Sequence, residues 1–134
     1  MNTKKTASVA LLTIIVAVII FHFLILSKQI PYTIAWGGRL KNDAQMYLFE
    51  SLSILINILI IVVLLLKNNV IKNKFLRPYT NGILRFFMIL FSLNTLGNLL
   101  AKTDFEKYFA LLTFLSAFLI GLILKKEKTT NTNS

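Results

Sequence analysis

The 134-residue chain has no cysteine, which excludes a disulfide framework, thiol redox chemistry and thiolate metal sites. Its single histidine is too few for the multi-histidine centres that hold zinc or paired iron. Acids are scarce as well: 5 Asp+Glu stand against 15 Lys+Arg, for a net charge of +10. With 2 prolines and 5 glycines, little interrupts the chain. What it has in abundance is hydrocarbon, 56% apolar residues and a mean hydropathy of +0.72. A soluble nucleic-acid binder can be this basic, but it is not also this apolar. The composition therefore points to a small integral membrane protein of one domain, with no cofactor, metal or nucleic acid expected.

Four apolar stretches cover residues 9–26, 47–66, 82–101 and 108–124. At about 1.5 Å rise per residue each makes a helix of roughly 26 to 30 Å, enough to cross a hydrocarbon core. Barrel strands are excluded by length and by the lack of apolar/polar alternation. The expected fold is all-α, an integral membrane four-helix bundle with up-down topology, spanning residues 1–128, followed by a disordered polar tail at 129–134. Lys4 and Lys5 before the first run resemble a signal peptide, but Ser27-Lys28-Gln29-Ile30-Pro31 has no small-x-small cleavage pattern, so a retained helix is expected.

Cation placement gives an orientation. Lys4, Lys5, Lys67, Lys72, Lys74, Arg77, Arg85, Lys125, Lys126 and Lys128 fall on one side, and Lys28, Arg39, Lys41, Lys102 and Lys107 on the other. Ten against five predicts both termini in the cytoplasm and attraction of that face to anionic lipid headgroups. Tyr32, Trp36, Tyr47, Tyr79 and Tyr108 fall at helix ends or in loops, where amphipathic rings anchor at the headgroup level.

Polar residues within membrane helices are the costly ones and so the informative ones. His22 lies near the end of the first helix. Glu50, Ser53 and Asn57 share a face of the second at i, i+3, i+7, and Asn94 and Asn98 follow at i, i+4 on the third. In the expected topology all six lie in the outer half, whereas the inner halves are nearly pure Ile, Leu, Val and Phe. An outward-facing polar pocket is one expectation, and helix-to-helix hydrogen bonding by the asparagines is the other. Glu50 calls for a partner, and Arg39 or Lys102 is the plainest. A Glu50–His22 pair would instead share or relay a proton. Thr113, Ser116 and Gly121 give the fourth helix a small-residue face for association, though without GxxxG.

The first outer loop, Ile30-Pro31-Tyr32-Thr33-Ile34-Ala35-Trp36-Gly37-Gly38-Arg39-Leu40, is the most distinctive segment. Pro31 stops the helical run and Gly37-Gly38 permit a tight turn with positive φ. Trp36 and Arg39 bracket that turn, either capping the bundle or forming a lid that contacts an anionic or aromatic ligand. Together with Met46-Tyr47-Leu48-Phe49-Glu50 and Leu93-Asn94-Thr95-Leu96-Gly97-Asn98, this loop resembles a group of small four-helix bacterial membrane proteins. The resemblance covers most of the chain, implies the fold and supplies no activity. With the abundance of Lys, Asn and Ile, it suggests a bacterial cytoplasmic membrane.

Three function classes follow. The first is binding of a lipid, small molecule or membrane partner, including a second copy, through Trp36, Arg39, Glu50, Ser53, Asn57, Asn94 and Asn98. The second is a membrane-embedded, isomerase-like enzyme using His22 and Glu50 as acid and base. The third, a small proton-coupled transporter, fits poorly, since the one intramembrane acid stands at a helix mouth and the inner halves carry no relay. The first is the preferred expectation.

Overall fold

In a computed structural model, which describes residues 2–101 and 103–125, the chain is all-helical. Four long helices, α1 (Thr3–Leu26), α2 (Asp43–Lys67), α3 (Thr80–Leu99) and α4 (Asp104–Leu124), are joined by loops with short 3-10 turns at Tyr32–Ile34, Trp36–Gly38 and Arg77–Tyr79. All four are long and apolar enough to cross a membrane. Lys102, Lys126 and Lys128, and the expected tail at 129–134, lie outside the described residues.

The helices start earlier than the apolar runs suggest because polar caps extend them. Asn2 accepts from the Lys4 N–H, Asn42 from the Gln45 N–H, and Thr103 from the Glu106 N–H, each satisfying a backbone donor at a helix start. At their far ends, α1 and α2 close alike, with Lys28 (φ 63°) and Asn69 (φ 62°) in the left-handed conformation. The following amides then fold back onto the carbonyls of Leu24 and Leu65. Lys28 is held there by an ion pair with Asp43 at 2.6 Å, which bridges the loop from α1 to α2. That carboxylate, through its hydrogen bond and its charge, raises the Lys28 pKa above its ordinary 10.5.

One apolar cluster gathers the first halves of α1 (Ala7, Leu11, Ile15) and α3 (Leu84, Phe87) with the second halves of α2 (Ile60, Val63, Leu64) and α4 (Leu119, Ile120, Ile123). This end of the structure is tightly sealed by aliphatic contact. The other end holds the buried acids Glu50 and Glu106, while Ser8 and Thr80 are buried near the aliphatic end. Packing is uneven around the bundle: α3 lies along α4, α1 touches both α2 and α4, and α2 meets α3 only lightly. The α4 face carrying Thr113, Ser116 and Gly121 is turned inward rather than outward. Ser116 is buried, Thr113 bonds Thr95 of α3 at 2.9 Å, and Gly121 lies against Met88. The association face expected on α4 is therefore spent on the neighbouring helix.

Candidate functional site

The polar end is organised around Glu50, whose side chain is fully buried, at 0% exposure. Its two oxygens have different partners. Oε2 lies 2.5 Å from His22 Nδ1 on α1, and Oε1 accepts the Trp36 indole N–H at 2.8 Å. Oε1 is the acceptor of the indole N–H, and Oε2 is the acceptor of the imidazole in the tautomer that carries its proton on Nδ1. The His22 Nε2 makes no hydrogen bond among the described residues. A buried carboxylate is tolerable in such a setting only because both oxygens are paired.

The loop is folded to make this possible. Trp36 adopts φ 56° and Gly38 φ 70°, so the backbone turns twice through the left-handed region within three residues. For glycine this costs little, whereas for tryptophan it costs about 1 to 3 kcal/mol. A hydrogen bond to a charged group contributes about 1.5 to 3 kcal/mol, enough to offset that strain. Packing of the indole on Phe49 at 5.1 Å adds to it. Trp36 is thus a clasp whose indole N–H reaches the buried carboxylate while the residue stays partly exposed at the loop, the position expected of an interfacial anchor.

Arg39, expected as the partner of Glu50, is exposed and forms no ion pair among the described residues. It follows the turn that delivers Trp36 and ends on the outside of the loop, while His22 projects from the adjoining helix directly at the carboxylate. The remaining expected site residues do not join the cluster. Asn57 is buried but donates to the Ser53 carbonyl of its own helix at 2.7 Å. Ser53 contributes that backbone oxygen and is only half-buried. Asn94 is exposed, Asn98 is half-buried, and neither makes a side-chain hydrogen bond among the described residues. Three residues, His22, Trp36 and Glu50, are therefore brought together out of the larger set.

Two further features of this end escaped the sequence reading. Glu106 is a second buried acid, and the Thr103 hydroxyl donates to its Oε2 at 2.7 Å while accepting its N–H at 3.3 Å. The legible signal was the Thr-x-x-Glu spacing of a capping box. The other feature is an apolar groove of about 580 Å³ between α1 and α4, lined by Thr13, Ile14, Ala17, Val18, Phe21, Phe105, Tyr108, Phe109 and Leu112. Its aromatic wall is Phe21 against Phe105 and Phe109, with ring centres 5.4 and 4.8 Å apart. Phe21 also abuts His22, its neighbour in sequence, at 5.9 Å, but neither His22 nor Glu50 lines the groove. The only advance sign of it was the i, i+4 spacing of Phe105 and Phe109. Among the described residues no cluster of His, Asp and Glu could hold a metal ion. Compared with protein families, curated proteins and solved structures, the chain matches none.

Proposed function

We propose that this chain is a multi-pass membrane protein that binds a lipid. The lipid's acyl chain lies in the α1–α4 groove and its polar part at the headgroup level beside Tyr108. Both termini are cytoplasmic, following the ten-to-five division of cations, so the helices cross up and down and the polar end faces outward. Anionic headgroups then meet the lysine-rich cytoplasmic face.

The observation that carries this reading is the groove itself. From Thr13 to Phe21 it runs roughly 12 Å along α1, close to the depth of one leaflet of a core about 30 Å thick. It extends from near mid-helix at Thr13 to Phe21 and Phe105 towards the polar end, the course of an acyl chain descending from its headgroup. Its walls are hydrocarbon and aromatic, and Tyr108 at the mouth puts a hydroxyl at headgroup level. The test is native mass spectrometry of the protein released from gentle detergent. Wild type is expected to retain one lipid per chain, and Ala17→Trp, which fills the groove, to retain none at unchanged helicity. Equal lipid retention by both would remove this assignment.

A second reading, a membrane-embedded enzyme, is favoured by one observation. Glu50 on Nδ1 leaves His22 Nε2 without a partner, the arrangement of an oriented general base. The transporter reading gains no such support among the described residues, where the opposite end is dominated by the aliphatic cluster. Under the lipid-binding reading, Glu50→Gln alters stability and leaves lipid retention in place, whereas an enzyme would lose its turnover.

A further inference from the structure

Of the four helices, α3 is the least apolar and also has the smallest share of its surface buried in the chain. In a bilayer the least apolar helix is the one that should be most covered, since exposed polar groups in hydrocarbon cost free energy. The conflict is concentrated in its second half. Only Thr80, Leu84 and Phe87 of α3 are buried, all in the half near the aliphatic cluster. Beyond them Leu90, Asn94 and Gly97 recur at i, i+4, i+7, which places them on one helical face. Leu90 borders the aliphatic cluster, and the face opens from Asn94 onward. Thr95 and Met88 occupy the face turned to α4, and α2 makes only light contact with α3. Asn94 is exposed and without a side-chain hydrogen bond among the described residues, and a Cβ added at Gly97 would meet nothing within 4 Å.

We propose that this face of α3 pairs with the same face of a second copy of the chain. A carboxamide carries both donors and an acceptor, so Asn94 is self-complementary: across a two-fold axis each amide donates to the other and both are satisfied. Lipid tails offer neither partner. Gly97, one turn further on, lets the two backbones approach closely, the condition under which membrane helices associate by contact rather than by hydrophobic burial. α4 cannot serve, because its small residues are already packed against α3. The inference rests on the membrane reading but not on lipid in the groove, which lies on the α1–α4 side.

The cysteine-free chain permits a direct test. Asn94→Cys and Val16→Cys, the latter on an exposed surface of α1, are each oxidised in intact membranes. Asn94→Cys is expected to form a disulfide-linked dimer and Val16→Cys to remain monomeric. Gly97→Leu is the second variant, because the open space around it leaves the fold of a single chain undisturbed. In detergent it is expected to weaken dimerisation at least tenfold by sedimentation while keeping wild-type helicity. Asn94→Leu, which removes two amide hydrogen bonds, is expected to weaken it roughly tenfold. A wild type that is monomeric in membranes and detergent overturns the proposal. So does cross-linking of Asn94→Cys no better than Val16→Cys, or unimpaired dimerisation of Gly97→Leu, the outcomes expected if a lipid or a different protein covers this face.

Discussion

Replacing Glu50 by Leu and His22 by Phe, singly and together, tests whether the pair is held as one unit. Glu50→Leu leaves the His22 Nδ1–H and the Trp36 indole N–H, both partly buried, without the fully buried carboxylate that accepts from them. His22→Phe leaves the carboxylate with the indole alone. Breaking a buried ion pair from one side costs about 3 to 5 kcal/mol, so simple addition puts the double variant at roughly 6 to 10 kcal/mol. The double variant removes both members of the pair, however, and apolar replacement of a buried pair is close to neutral. Its residual cost is the unpaired Trp36 N–H, about 1 to 3 kcal/mol. The expected coupling is therefore at least about 3 kcal/mol, far above the roughly 0.5 kcal/mol within which independent sites add. The assay is equilibrium unfolding in mixed micelles of mild and denaturing detergent, read by fluorescence. Trp36 is the chain's only tryptophan and its indole sits on the carboxylate under test, so the signal comes from the site itself. Costs of the two single variants that simply add would refute the argument that the pair and the loop form one clasp.

Other consequences are open to simpler measurements. Gly38→Ala places a Cβ at φ 70° and is expected to destabilise by about 1 kcal/mol in the same unfolding assay. The Lys28–Asp43 pair contributes its stabilisation in full below the ordinary lysine pKa of 10.5 and loses it as pH rises through the raised folded value. Lys28→Gln should accordingly match wild type in stability only at strongly alkaline pH, and a difference that grows with alkalinity would reverse the sign argued here. For orientation, Lys74→Cys is expected to react with an impermeant maleimide only after the membrane is opened, and Thr33→Cys in intact cells. The opposite pattern would invert the assignment of the polar end.

The four spans were legible because hydrocarbon thickness and helical rise fix their length, and their apolar runs are nearly unbroken. Helix starts were less so, since Asn2, Asn42 and Thr103 extend the helices past the apolar residues through single capping bonds. At the polar end, Glu50 was singled out by the cost of burying an acid, and His22 by being the one side chain able to relay a proton with it. The choice of His22 and Trp36 over Arg39 depended on two left-handed residues in the loop, which composition does not encode. Asn94 and Asn98 had a face but no visible partner, because helical period gives direction and not which neighbour stands there. Of the groove only the Phe105 and Phe109 spacing was legible, because the space itself depends on how α1 and α4, distant in sequence, pack together.

Labelling with a phospholipid that carries a photoreactive diazirine in its acyl chain tests the central claim most directly. If a lipid occupies the α1–α4 groove, peptide mapping is predicted to find adducts concentrated at Ala17, Val18, Phe109 and Leu112, and to lose them in Ala17→Trp. Adducts spread evenly over exposed lipid-facing residues such as Val16, Leu55 and Phe118, with no change in Ala17→Trp, would contradict it.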